Sequence, residues 1–259
     1  MDNSEIIKMV KRLAWIGVFF LIAVIIISAI EAKKGRSAAD IIIKIEELPD
    51  GDSLINQEDV KVSIERSFGY NLRGIPVREI DVARVERVLE NDPFVLNADV
   101  FLDAKNQIHI KIEQREPILR IIDKNGLNYY LDKYGKKMPL SKHFTARVLV
   151  ATGNIPPFDP QFLQRKKHIL KDLFELTNII LNDDFLKPMI EQIYVNVSKE
   201  YELSPNVGDQ KILLGKMDHI DDKIFNLKTF YKEAIPYKGW QKYKTINLKF
   251  KGQVVAGKR

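Results

Sequence analysis

The sequence predicts an α+β protein: one N-terminal transmembrane helix, then a β-α-α-β-β unit, then a mixed α/β domain ending in a C-terminal edge strand. Three patterns predict it. Leu13 to Ile30 is an uninterrupted apolar run. Residues 41 to 113 alternate between strand and helix periodicities, and the rest mixes the two up to a final alternating segment, Thr245 to Lys251. Composition agrees. The 259 residues are 45% hydrophobic and 29% charged, which excludes a largely disordered chain, a collagen-like repeat and a many-span membrane protein. The 41 basic and 35 acidic residues give +6, compatible with an anionic surface nearby, membrane or nucleic acid, and establishing neither. There is no cysteine, so disulfide frameworks, thiol catalysis and cysteine-based zinc sites are excluded; a cysteine-free chain also suits passage through an oxidising space.

The apolar run LAWIGVFFLIAVIIISAI contains no charge and no proline. Its 18 residues span roughly 27 Å as a helix, close to the hydrocarbon thickness of a bilayer. A buried helix of a soluble domain would carry a polar stripe, and this run has none. Leu13, Phe19, Phe20, Leu21, Ile25 and Ile30 are the expected anchor residues, with Trp15 near one end, where an indole suits the interface. The competing reading is a cleaved signal peptide, but its apolar core is usually shorter, and Glu31-Ala32-Lys33-Lys34 is a poor cleavage site. Flanking charge leaves orientation open: Lys8, Lys11 and Arg12 precede the run, and Lys33, Lys34 and Arg36 follow it. A short N-terminal tail before a long C-terminal region favours an inside N-terminus. The expected organisation is a cytoplasmic segment 1–12, a span 13–30, a linker 31–40, a first domain 41–117 and a second domain 118–259.

In the first domain, Ile41 to Leu48 is β-branched and reads as a strand, closed by the turn Pro49-Asp50-Gly51-Asp52. Asn56 to Phe68 places Val60, Ile64 and Phe68 on one helical face. Ile80 to Leu89 does the same with Val82, Val85 and Leu89, and Asp81 stands as N-cap. Ala98 to Leu102 is a strand. After the turn Asp103 to Asn106 comes Gln107 to Glu113, with Ile108, Ile110 and Ile112 inward. In the second domain, Leu119–Ile122 and Asn128–Asp132 flank the turn Lys124-Asn125-Gly126. Arg147 to Ala151 is a strand. Gln161 to Leu181 reads as one long helix, and Ile193, Val195 and Val197 alternate as a strand. Lys211 to Leu214 is closed by Gly215, a helix runs from Ile220 to Ala234 behind Asp218, and Thr245 to Lys251 ends the pattern.

No catalytic constellation emerges, and no cofactor is expected. His109, His143, His168 and His219 share no metal-ligand spacing, and no phosphate-binding loop, dinucleotide fingerprint or nucleophile elbow is present. Asp183-Asp184 and Asp218/Asp221/Asp222 are carboxylate clusters that could do acid/base work, but their positions favour loop and helix-capping roles. Arg165-Lys166-Lys167-His168 and Lys136-Lys137 lack the interleaved aromatics of nucleic-acid modules, so no nucleic-acid partner is expected. They read as solvated faces or as contacts to an anionic membrane. A binding module, not an enzyme, is the economical reading.

Ordered motifs extend this. Pro93-Phe94-Val95 precedes the hairpin beginning Ala98-Asp99-Val100, and Gln114-Arg115-Glu116-Pro117 leaves it. Tyr130-Leu131-Asp132-Lys133-Tyr134-Gly135 ends a strand in D-x-x-G. Ile212-Leu213-Leu214-Gly215, a helix, Ile246-Asn247-Leu248-Lys249-Phe250 and Gln253-Val254-Val255 follow in order. The β-α-α-β-β unit resembles a POTRA domain, and the ordered set resembles the bacterial cell-division family FtsQ/DivIB over essentially the whole chain. Two positions depart: Phe94 stands where many members carry tryptophan, and Gln114 where the exit segment is usually acidic.

The resemblance implies a single-pass protein of the inner membrane at the division septum, with a cytoplasmic N-terminus and a periplasmic POTRA domain and β domain. It implies a non-enzymatic divisome scaffold that binds FtsB-like and FtsL-like single-span coiled-coil proteins and links them to septal peptidoglycan synthesis. Other divisome proteins would meet the POTRA domain. It also places the FtsB contact near the last strand. An edge strand with unpaired backbone groups can accept a partner strand, so Phe250, Lys251, Gly252, Gln253, Val254 and Val255 are the expected contacts, with Ile246 and Leu248 in the core. The alternative is a POTRA-type chaperone for outer-membrane or secreted proteins.

Overall fold

A computed structural model describes residues 3–34, 37–239 and 242–259. Gly35 and Arg36 of the expected linker lie outside the described residues, as do the side chains of Lys8, Lys11, Arg12, Lys33 and Lys34 in the flanking charge pattern. The fold is α+β, as expected, in two compact units: Met1–Glu47 with Ile55–Gln114, and Leu48–Leu54 with Arg115–Arg259.

The first helix, α1 (Asn3–Lys34), contains the run Leu13–Ile30, none of which is buried within the protein. Leu13, Trp15, Phe19, Phe20, Leu21, Ile25 and Ile30 are 49–71% exposed. A helix apolar on all sides needs an apolar surrounding, and this one is long enough to cross a bilayer as a single-pass anchor.

The N-terminal unit continues with β1 (Ile41–Ile45), α2 (Gln57–Phe68), α3 (Val82–Glu90), β2 (Val95–Leu102) and β3 (Ile108–Gln114). The sheet order is β1-β3-β2, with β1 parallel and β2 antiparallel to β3. Ile108, Ile110 and Ile112 are fully buried and meet Val60 and Ile64 of α2 and Val85 and Leu89 of α3 in one core. Asp81 caps α3 as expected, and a capping box that the sequence reading did not name opens α2. Asn56 and Asp59 form a reciprocal capping box at 2.9 and 3.0 Å, and Asp81 Oδ1 accepts from the Arg84 amide at 3.0 Å. Gln114 is buried, and its Nε2 donates to the Glu46 carbonyl at 2.8 Å, a bond that needs an amide donor.

The C-terminal unit holds β4 (Pro117–Ile122), β5 (Asn128–Asp132), β6 (Lys137–Met138), β7 (Leu149–Gly153), α4 (Ile169–Leu181), α5 (Leu186–Met189), β8 (Ile190–Val195), β9 (Tyr201–Pro205), β10 (Lys211–Gly215), α6 (Ile220–Thr229), β11 (Tyr243–Asn247) and β12 (Val255–Lys258). Among the described residues these strands form one nine-stranded sheet, ordered β12-β11-β10-β9-β8-β7-β4-β5-β6. Strands β4, β7 and β8 run parallel, and β7-α4-β8 is a crossover unit. Leu170, Leu173, Leu176 and Ile180 of α4 and Leu227 of α6 share one core with Ile121, Ile193, Leu203, Ile212, Ile246 and Leu248.

One device recurs at the hairpin turns: an Asp or Asn accepts from the amides two and four residues on, and the fourth residue of the turn takes positive φ. Asp103, Asp123, Asp132 and Asn196 each accept these two bonds at 2.8–3.0 Å. Asn106, Gly126, Gly135 and Lys199 are the positive-φ residues, at 60°, 81°, 77° and 59°. Gly153 is more constrained still. It sits at φ +100°, and a Cβ there would fall 2.2 Å from the Val195 carbonyl oxygen. Gly153→Ala is therefore expected to destabilise the unit by roughly 2–3 kcal/mol or more, read as a lowered thermal midpoint.

The structure corrects several expectations. The helix expected over Gln161–Leu181 is a 3-10 turn (Phe162–Gln164) and then α4, because Arg165 and His168 are extended and His168 caps α4, its Nδ1 accepting from the Leu170 amide at 3.1 Å. Strand β8 stops at Val195, since Asn196 opens a turn and leaves Val197 86% exposed. The helix behind Asp218 is α-helical only to Thr229 and continues as a π turn over Phe230–Ala234. Its N-cap is His219, while Asp218 pairs with Lys223 at 3.0 Å. The last expected strand, Thr245–Lys251, ends at Asn247, and β6, β9 and β12 are strands the sequence reading missed.

Candidate partner-binding edge

The C-terminal side of the sheet is built outward from β10. Ile212 and Leu214 are fully buried, and Gly215 turns the chain at φ +77° in space that a Cβ would share with the Lys249 side chain, 2.8 Å away. Strand β11 adds in parallel, Ile212 opposite Ile246. Ile246 and Leu248 are core residues, as expected, and the Leu248 amide donates to the Leu213 carbonyl at 3.0 Å. The chain then reverses. Asn247 Oδ1 accepts from the Lys249 amide at 3.0 Å, the Gln253 amide donates to the Phe250 carbonyl at 3.4 Å, and Gly252 sits at φ +70°. Strand β12 returns antiparallel, with Val255, Ala256 and Gly257 opposite Asn247, Ile246 and Thr245. No strand lies on the outer side of β12 among the described residues, so that side offers backbone donors and acceptors to a partner strand.

The expected contact residues fall on two features instead of one strand. Phe250, Lys251, Gly252 and Gln253 are exposed in the turn, Phe250 at 49%. Val254 is partly buried against the core, and Val255, 44% exposed, opens β12. The reading missed Ala256, Gly257 and Lys258, whose backbone forms the rest of the edge. Gly252 between two apolar stretches was the available hairpin signal. Charge adds a second property. Residues 242–259 contain Lys242, Lys244, Lys249, Lys251, Lys258 and Arg259 and no acidic residue. Lys249 pairs with Glu200 at 3.2 Å and Arg259 with Asp209, so acids from outside the hairpin neutralise it only in part.

One carboxylate of each cluster, Asp183 and Asp218, makes structural contacts. Asp183 Oδ1 accepts from the Phe185 and Leu186 amides, both at 3.0 Å, and Oδ2 accepts from Lys228. Chiefly that ammonium bond holds the Asp183 carboxyl below the usual carboxylate range. A lowered folded-state pKa adds stability above the unfolded value, about 3.9, and loses it as pH falls through the folded value. The stability gap between the wild type and Asp183→Asn should therefore narrow in melts from roughly pH 6 down to pH 3. His109 Nε2 lies 3.2 Å from Asp103 Oδ2, and its ring stacks on Phe101. Among the described residues no group of three or more His, Asp or Glu side chains is arranged to hold a metal.

Residues 116–257, more than half the chain, match the family model described as FtsQ/DivIB, C-terminal related. Residues 37–113, which contain β1 to β3, match the POTRA-like domain model. No curated protein matches the chain.

Proposed function

Because the chain belongs to the FtsQ/DivIB family of cell-division proteins and carries a POTRA-like domain, we propose that it is a non-enzymatic, membrane-anchored divisome scaffold that takes a partner segment onto the free edge of β12. The observation that carries this reading is the β12 edge itself: unpaired on its outer side among the described residues, with Phe250 and Val255 exposed beside it. Strand addition supplies affinity through main-chain bonds, and side chains flanking the edge supply selectivity. The basic hairpin favours a partner strand with acidic residues.

On this reading the partners are FtsB-like and FtsL-like single-span coiled-coil proteins, and the bound complex reaches the septal peptidoglycan machinery. The POTRA-like domain meets other divisome proteins. On the same reading both units lie outside the inner membrane at the septum, with the N-terminus in the cytoplasm. Photocrosslinking amino acids at Phe250, Gln253 and Val255 in living cells test this, with Glu113 as the comparison in the N-terminal unit. Single-span coiled-coil proteins captured at the hairpin probes and not at Glu113 are the expected result. Capture of outer-membrane or secreted polypeptides instead would overturn it in favour of a chaperone, and no capture at the hairpin would remove β12 as the interface.

A further inference from the structure

We infer that the C-terminal unit carries a second binding site, a basic pocket for a phosphate or pyrophosphate group, at the carboxyl ends of its parallel strands. Strands β4, β7 and β8 run in the same direction, so their carboxyl ends open on one side of the sheet. A cavity of about 520 Å³ lies there. Lys124 reaches it from the connection after β4, Lys167 and His168 from the segment leading into α4, and Lys199 from the turn after β8, with Asp172 and Tyr201 completing the wall.

The pocket keeps a net positive charge: Lys124, Lys167 and Lys199 outnumber the one carboxylate in its lining, Asp172, whose Oδ2 accepts from the neutral Tyr201 hydroxyl at 2.8 Å. Two acids outside the lining are held by other cations, Asp159 by Arg165 at 3.0 Å and Glu200 by Lys249 at 3.2 Å. Among the described residues Lys124, Lys167 and Lys199 have no carboxylate within 4.0 Å. Burial, and then the bond to Asp172, push the Tyr201 phenol up, so it stays a neutral donor. His168 Nδ1 accepts from the Leu170 amide, which leaves its proton on Nε2. That bond occupies the Leu170 amide of the first turn, and the charge of the pocket is carried by its lysine side chains. Lys199 adds a telling detail. It holds the φ +59° position filled by Asn106, Gly126 and Gly135 in the sibling turns. Lysine is a poor residue for that backbone, and what it brings is an ammonium at the cavity rim. Lysines gathered on one concavity repel one another, and a compact polyanion relieves the repulsion; lysine binds phosphate as a point charge.

The test uses the full chain in nanodiscs of zwitterionic lipid, titrated with inorganic pyrophosphate by calorimetry. Binding should weaken by about tenfold or more in the Lys124→Gln/Lys167→Gln/Lys199→Gln variant and stay unchanged in Lys61→Gln, which loses a charge in the other unit. Nanodiscs containing an anionic phospholipid distinguish the source. Pyrophosphate affinity reduced there, but not in the triple variant, assigns the pocket to lipid headgroups. Affinity unchanged by the lipid assigns it to a soluble or wall-borne phosphate. Absence of pyrophosphate binding, or equal binding by wild type and the triple variant, overturns the proposal. Equal melting temperatures of the two proteins without ligand show that the loss is one of binding.

Discussion

Replacing Arg115 with alanine is expected to destabilise the C-terminal unit by about 3 kcal/mol or more, a loss typical of stranding one member of a buried ion pair. Arg115 Nη1 donates to Asp132 Oδ2 at 3.0 Å, with side-chain exposures of only 10% and 1%. The same carboxylate builds the turn that follows β5: its Oδ1 accepts from the Tyr134 and Lys136 amides at 2.9 and 2.8 Å. Alanine at 115 therefore leaves a buried charge unpaired at a turn that depends on it. Asp132→Asn is the informative companion. It keeps the turn acceptor and removes the charge, so it should cost less than Arg115→Ala. The double variant should then be less destabilised than the two single losses combined, since the pair is lost only once. Urea unfolding followed by hydrogen exchange over residues 117–132 measures all three. A loss below about 1 kcal/mol for Arg115→Ala would mean that solvent screens the pair as it does at a surface.

That pair shows what was legible in the sequence. Gln114-Arg115-Glu116-Pro117 and the D-x-x-G motif were both visible as separate marks of a resemblance. Their physical relation was not, because it is a contact between residues 17 positions apart, set by the β4–β5 pairing. Local signals read well wherever local physics decides. The Ile108, Ile110, Ile112 alternation and the Asp81 cap stand as the periodicity and cap chemistry implied. The long helix over 161–181 misled because Phe162 and Ile169 are seven residues apart. The apolar phase continues across the break, and the residue that caps α4 is a histidine, outside the usual capping set. Strand β9 was invisible because YELSP acquires its strand character from β8 and β10 on either side. Strand β12 failed for a related reason. VAGK carries little apolar alternation, and what makes it a strand is pairing with β11 across the Gly252 turn. Of the expected contacts, Phe250 to Gln253 therefore lie in the turn and Val255 opens β12, whose remaining residues are Ala256, Gly257 and Lys258.

Val255→Lys should leave the fold intact and weaken partner capture by at least about tenfold, the change expected when a charge blocks an apolar contact beside an edge strand. Val255 is the position for this test because it is exposed and opens β12. Val254→Asp, at the neighbouring expected contact, confounds two effects. Val254 packs partly against the core, so a carboxylate there also carries a burial cost. The substituted charge matters as well. The hairpin is already basic, so lysine at 255 strengthens any attraction for an acidic partner even as it obstructs the edge, whereas Val255→Asp both obstructs and repels. If strand addition dominates, both variants lose capture together. If charge attraction dominates, Val255→Lys retains it and Val255→Asp alone fails. Phe250→Ala separates the side-chain contribution from the backbone one: it removes an exposed ring in the turn without touching the ladder of β12. Capture yields of these variants in cells, at matched protein levels, resolve the two mechanisms. Wild-type yields from all three would show that the partner binds elsewhere.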